Sequence, residues 1–150
     1  MRVAIGSDHA GYQLKSELAR ELDSAGHEVT DLGTHGPEAV DYPDYAQAVA
    51  EAVAHGEADR GVLVCGSGVG VGVAANKIPG IRAGVCHDTY SAHQAVEHDD
   101  INVLCLGERV IGSALAREVL HSFMQARFAG EARHVQRLEK LAAIERKYLA

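Results

Sequence analysis

Cys65-Gly66-Ser67-Gly68-Val69-Gly70 is the segment of this chain whose residue types and spacing best suit chemistry. It follows an apolar run, Val62-Leu63-Val64, and glycine recurs at every second position through Gly72. Glycines at a strand-to-helix junction let successive backbone N–H groups close around an oxyanion, and the start of the helix adds roughly half a positive charge. A thiol at the mouth of such a loop can ionise below its ordinary value of ~8.5 and serve as base or nucleophile. Without these neighbours Cys65 would read as a small core hydrophobe, the reading that suits Cys86 and Cys105. Other anion loops fail on the letters. A P-loop ends in Gly-Lys-Ser/Thr, whereas Lys77 follows Asn76. The dinucleotide pattern fits only as Gly70-x-Gly72-x-x-Ala75, and Ala95 stands where an acidic residue is needed about 20 positions on. A cysteine phosphatase would clamp its phosphate with an arginine in the place of Val71.

Further candidates lie outside the loop. Asp8-His9 follows the first apolar run, and Asp8 alternatively serves only as a helix cap. His98-Asp99-Asp100 closes the helical pattern before the fifth apolar run and reads as a solvated helix end carrying a favourably placed cation. His87-Asp88 reads as a turn and cap. These pairs invite a metal site, but no His-x-x-x-His spacing supports one, and no metal is expected. Arg133 and Arg137 are four residues apart, so on a helix they share one face and can converge on one anion; otherwise they are a solvated charged face. Arg109 follows the last apolar run and reads as a ligand contact or a surface charge.

The elements that must position these residues are legible as alternating patterns. Apolar segments at Val3–Ile5, Glu28–Leu32, Val62–Cys65, Ala83–Cys86 and Asn102–Leu106 read as parallel strands, the second at an edge because it alone alternates. Helical patterns fill Tyr12–Ala25, Pro43–His55, Val69–Asn76, Tyr90–His98, Gly112–Phe128 and Ala132–Leu149, with Gly26, Gly56 and Gly130 at the breaks. The last carries an apolar side marked by Val135, Leu138, Leu141 or Ala142, and Ile144 or Glu145. The expectation is a three-layer αβα sandwich: a Rossmann-like, doubly wound, five-stranded parallel sheet with an extra C-terminal helix, in a single domain over 1–150. Ligands of such folds sit beyond the carboxyl ends of the strands, where the candidate residues gather.

Composition narrows the partners. With 14 Lys+Arg against 21 Asp+Glu the net charge is −7, which argues against nucleic acid and anionic membrane but leaves room for one anionic small molecule. No apolar run is long enough for a membrane span or a signal peptide, and three cysteines without a C-x-x-C pair suggest neither a disulfide framework nor a zinc site. A cytoplasmic protein with reduced thiols is expected.

Taken together, Gly6-Ser7-Asp8-His9-Ala10-Gly11, Asp41-Tyr42-Pro43, Cys65 to Gly70, Ala74-Ala75-Asn76-Lys77 and Arg133-His134-x-x-Arg137 resemble the type B ribose-5-phosphate isomerase family, which includes allose- and galactose-6-phosphate isomerases. The resemblance spans nearly the whole chain and implies a homodimer, sometimes a tetramer, with shared active sites and no cofactor. It implies Cys65 as the base moving a proton between C1 and C2, in the branch that uses cysteine; the alternative branch uses a glutamate where Val71 stands. It implies Ser67 as a proton shuttle between O1 and O2, and the N–H groups from Gly66 through Gly68 and Val69 to Gly70 as an enediolate hole. His98 from the partner subunit would open the sugar ring. Asp8 and Tyr42 would touch the sugar, and His9, Arg109, Arg133 and Arg137 the phosphate. Asp99 stands where relatives often carry an asparagine, and an ionised carboxylate accepts hydrogen bonds but donates none. The expected reaction interconverts ribose 5-phosphate and ribulose 5-phosphate in the pentose phosphate pathway. Allose 6-phosphate or another aldose phosphate is the alternative substrate. From a different class, a silent sugar-phosphate or nucleotide-binding module would keep the glycines but have no use for the thiol.

Overall fold

In the computed structural model, which describes residues 1–149, five parallel strands form one sheet: β1 (Arg2–Ser7), β2 (Glu28–Asp31), β3 (Arg60–Cys65), β4 (Ala83–Val85) and β5 (Val103–Gly107). Their order is β2-β1-β3-β5-β4. The central β3 is flanked on both sides, and its residues from Gly61 to Cys65 are all buried. β2 lies at an edge with three of its four residues exposed, which is why it alone alternates in sequence.

Helices α1 (Tyr12–Ser24), α4 (Thr89–Asp99) and α5 (Ser113–Gln125) cover one face of the sheet, with Leu18, Val96, Leu120 and Phe123 fully buried against Ile5, Val62 and Leu104. Helices α2 (Tyr42–Ala54) and α3 (Val69–Ala75) cover the other through Val49, Ala50 and Val71. Each such buried Val, Leu, Ile or Phe side chain contributes ~1.5–3 kcal/mol by leaving water. The three-layer αβα architecture is therefore the one expected, and α6 (Ala132–Tyr148) is the extra C-terminal helix.

Local signals account for the boundaries. Gly26, Gly56 and Gly130 all have positive φ at the breaks, and Pro43 occupies the first turn of α2, where its missing N–H is no loss. α5 is shorter than its pattern suggested, ending at Gln125 rather than Phe128. The Arg60 guanidinium donates to the carbonyls of Phe123 and Ala126, and Arg127 donates to those of Met124 and Ala126. These bonds satisfy the orphan carbonyls of the last turn, and Ala126 turns to extended backbone.

The apolar side of α6 is not covered within the chain. Only His134 is buried on that helix, and Val135, Leu141 and Ile144 are exposed. A groove of about 370 Å³ runs between Leu138, Leu141 and Ala142 of α6 and Ile81 and Ile101 beside the amino ends of β4 and β5.

A lysine lies inside the fold. Lys15 is 1% exposed and its Nζ donates to both oxygens of Asp31 at 3.0 and 2.8 Å. Asp31 also accepts the Gly33 N–H, while Ser7 N–H donates to Gly33 O and Thr34 N–H to Ser7 O. The segment after β2 is thereby tied to the end of β1.

Candidate active site

The crossovers from β1 and β3 leave the sheet in opposite senses, and between their carboxyl ends lies an open pocket of about 470 Å³. It brings together Asp8, His9, Tyr42, Cys65, Ser67 and Arg109 of the expected set, along with Gly66 and Gly70 of the loop.

Cys65 closes β3 and is 5% exposed. The loop does more than leave its N–H groups open. Gly68 N–H donates to Cys65 Sγ at 3.1 Å, and Val69 N–H donates to Ser67 Oγ at 3.1 Å. Gly68 and Val69, expected to face the oxyanion directly, thus use their N–H groups here to hold the Cys65 and Ser67 side chains. Gly68 sits at φ 81°, and a Cβ there would lie 2.9 Å from the Leu106 carbonyl carbon, so only glycine fits. Gly70 is required for another reason: a Cβ would lie 2.9 Å from the Tyr42 ring, which packs across the loop. Burial pushes the Cys86 thiol up to about 11 and raises Cys105 as well, which keeps both protonated as core filler.

Asp8 is both a cap and a pocket residue. Its Oδ1 accepts from Ala10 and Gly11 N–H at 3.0 and 3.1 Å, opening the short 3-10 turn His9–Gly11, while Oδ2 takes no part in those bonds. His9 Nδ1 accepts the Val40 N–H at 3.2 Å, which puts the ring proton on Nε2 as a donor. Arg109 lies over the glycine loop, its Nη1 3.5 Å from where a Gly66 Cβ would be.

His87, read from sequence as part of a turn, has a more specific place. Its Nε2 accepts the Gly107 N–H at 2.9 Å, and Gly107 packs so tightly under Ser67 that a Cβ would meet the Ser67 carbonyl carbon at 2.6 Å. No local signal marks this contact, because it joins residues from the ends of two strands. Asp88 is the cap expected, accepting from Ser91 N–H and Oγ at 2.6 and 2.8 Å.

Burial lowers the pKa of His87, as it does for His27 beside the N-terminal amine and for His134 against His98. A group whose pKa is lowered on folding binds fewer protons in the native state, so its stabilisation is present above the ordinary histidine value of ~6.5 and fades as pH falls below it. The urea midpoint is expected to hold steady from pH 8 to about 7 and to decline through pH 6 and 5.5. A midpoint that rises on acidification through that window would contradict these assignments.

The remaining predicted residues lie elsewhere. α4 starts beyond the carboxyl end of β4 and runs back, so His98 and Asp99 stand just before β5, at the amino edge of the sheet, while Cys65 pairs with Gly107 at its carboxyl edge. The span of β5 from Val103 to Gly107 alone separates the edges by ~13 Å. His98 stacks on His134 with centroids 4.3 Å apart, and its Nδ1 receives the Gln94 amide N–H at 3.0 Å, leaving the proton on Nε2. Arg133 and Arg137 are exposed on the first turns of α6, as their spacing required. Arg133 Nε donates to His134, and its guanidinium pairs with Glu131 at 3.2 Å. Two half-clusters therefore exist at opposite edges of one chain.

A profile of the Ribose/Galactose Isomerase family matches residues 3–141. The chain is 48% identical to ribose-5-phosphate isomerase B of Escherichia coli, covering 97% of each. It is 39% identical to D-erythrulose-4-phosphate isomerase 2 of Mycolicibacterium smegmatis, again over 97% of each. Among solved structures, ribose-5-phosphate isomerase B of Clostridium thermocellum superposes with a TM-score of 0.97 at 52% identity, over 99% of this chain and 100% of that one.

Proposed function

Because this chain belongs to the ribose/galactose isomerase family, and is thus a sugar-phosphate isomerase, we propose that it interconverts D-ribose 5-phosphate and D-ribulose 5-phosphate with Cys65 as base. The observation that carries the proposal is the Gly68 N–H on Cys65 Sγ, at the wall of a pocket that also holds Ser67, Asp8, His9 and Arg109. Acting as the base, the Cys65 sulfur removes the C2 proton of the open-chain aldose, the electron pair passes into a C1–C2 double bond, and O1 takes the negative charge. Loop N–H groups not bound to Cys65 or Ser67 stabilise that enediolate. Ser67 Oγ carries a proton between O2 and O1, and Cys65 returns the carbon-bound proton to C1. Asp8 Oδ2 and Tyr42 orient the hydroxyls, while His9 Nε2–H and Arg109 hold the phosphate, so that remote binding energy aligns the reacting carbons.

The same proposal includes a homodimer with shared sites, two of which can pair as a tetramer. A two-fold arrangement brings His98, Asp99, Arg133 and Arg137 of one chain to the Cys65 pocket of the other. The uncovered side of α6 supports it, as do the exposed Val69 and Val73 of α3 beside the pocket. His98, with its proton on Nε2, would then open the furanose ring. Asp99 would face the sugar as an acceptor. A cytoplasmic place in the pentose phosphate pathway fits this substrate, and no helix of the described residues is long and apolar enough to cross a membrane.

D-Erythrulose 4-phosphate is the second reading, favoured by the activity named for the mycobacterial relative. Turnover of ribose 5-phosphate, D-erythrulose 4-phosphate and allose 6-phosphate measured side by side decides between them. Ribose 5-phosphate is expected to give the highest kcat/KM, by tenfold or more. A higher value for either competitor would reassign the substrate.

A further inference from the structure

Helix α1 opens without a side-chain cap of its own. Gly11 precedes it, and a Cβ there would lie 2.5 Å from Val64 O, so no residue with a capping side chain fits. The cap comes from the turn after β5. Glu108, 94 positions away and half-buried, accepts the Leu14 N–H on Oε1 at 2.6 Å.

Glu108 sits at the start of the turn that carries Arg109. The main chain of that turn is bound to the cysteine loop: Glu108 N–H donates to Cys65 O at 2.9 Å, and Arg109 N–H to Gly66 O at 3.1 Å. Arg109 itself has no side-chain hydrogen bond or ion pair among the described residues, although its guanidinium lies over Gly66. Its direction is therefore set by the turn. The Gly107 N–H before the turn rests on His87 Nε2; within Glu108–Val110, the one side-chain anchor among the described residues is the Glu108 carboxylate on the start of α1.

We infer that Glu108 is a positioning residue for the anion site: its carboxylate pins the β5 turn to the start of α1 and so aims Arg109 at the same point as His9. This rests on the reading of the pocket as a sugar-phosphate site. The bond is short, and together with the main-chain bonds to Cys65 O and Gly66 O it joins the segments after β1, β3 and β5 into one rim. Such a residue should affect binding of the phosphate end more than the proton transfers at Cys65.

The test compares Glu108→Ala, Glu108→Gln and Arg109→Ala, reading KM, kcat, the inhibition constant of inorganic phosphate and Tm. Glu108→Ala is expected to raise both KM and the phosphate inhibition constant about tenfold while kcat changes by less than about threefold. Glu108→Gln, which keeps an acceptor oxygen at the same reach, should restore both constants to within about threefold of the parent. An unchanged KM and inhibition constant in Glu108→Ala, with only Tm lowered, would make Glu108 a plain helix cap and overturn the inference. So would a Glu108→Gln variant as impaired as Glu108→Ala. Should Glu108→Ala fail to fold, Glu108→Asp, one methylene short of Leu14, takes its place with the same expectations. Arg109→Ala separates the two levels. If it leaves both constants unchanged, the phosphate reading of the pocket fails; if it raises them and Glu108→Ala does not, only the role of Glu108 falls.

Discussion

Cys65→Ala is expected to lose turnover by a factor on the order of 10³ while still binding phosphate ligands, because a positioned base contributes roughly 10²–10⁴-fold and nothing else in the pocket can replace it. Asp8 has one oxygen committed to the backbone of the following turn, and His9 has its Nδ1 lone pair occupied by Val40 N–H. Ser67 is a hydroxyl whose own deprotonation is far less favourable than that of a thiol. The substitution removes one atom from a buried position, so the fold should persist, and the Gly68 N–H it frees lies where a water or a substrate oxygen can take it. Two measurements are needed: isomerisation rate, and the rise in Tm on adding inorganic phosphate. Parent-like isomerisation by the alanine variant would remove Cys65 as the base. Loss of the phosphate-induced rise in Tm would show that the change reaches beyond the base to the site as a whole.

Mixing two inactive variants should restore activity. Cys65→Ala retains His98, and His98→Ala retains Cys65. If each site takes Cys65 from one chain and His98 from the other, a mixed dimer carries one intact site and one doubly altered site. Random reassortment of an equal mixture makes half the dimers mixed, so activity should return to about one quarter of the parent level. His98→Ala must be assayed on the cyclic sugar, since its defect concerns ring opening. No recovery after verified subunit exchange would mean that both residues act within one chain, which the separation between the two edges of the sheet opposes, or that His98 lies outside the site.

Most of the scaffold was legible because it rests on short-range rules. Leucines at Leu14, Leu18 and Leu22, glycines at Gly26 and Gly56, and the alternation of β2 each act within a few residues. The pocket residues were legible for a related reason: a parallel sheet delivers whatever follows each strand to one edge, so Asp8, His9, Cys65, Ser67 and Arg109 meet without any knowledge of strand order. What escaped depends on contacts distant in sequence. The placing of β5 between β3 and β4 has no local period. The burial of Lys15 depends on Asp31, which lies 16 positions on in another element. Glu108 and His87 act on backbone N–H groups of other elements, and such bonds leave no spacing to find. The premature end of α5 belongs to the same class, since Arg60 lies on β3.

The paired N–H donations from Gly68 and Val69 set the spacing of Cys65 and Ser67 by a single stretch of main chain. The two groups are therefore geared together: a small displacement of β3 carries thiol and hydroxyl by the same amount, and their mutual distance is inherited from peptide geometry. Side chains packed around that strand are free to drift over evolutionary time without shifting the thiol against the hydroxyl. Divergence should consequently be tolerated in the apolar layers long before it is tolerated at Gly68.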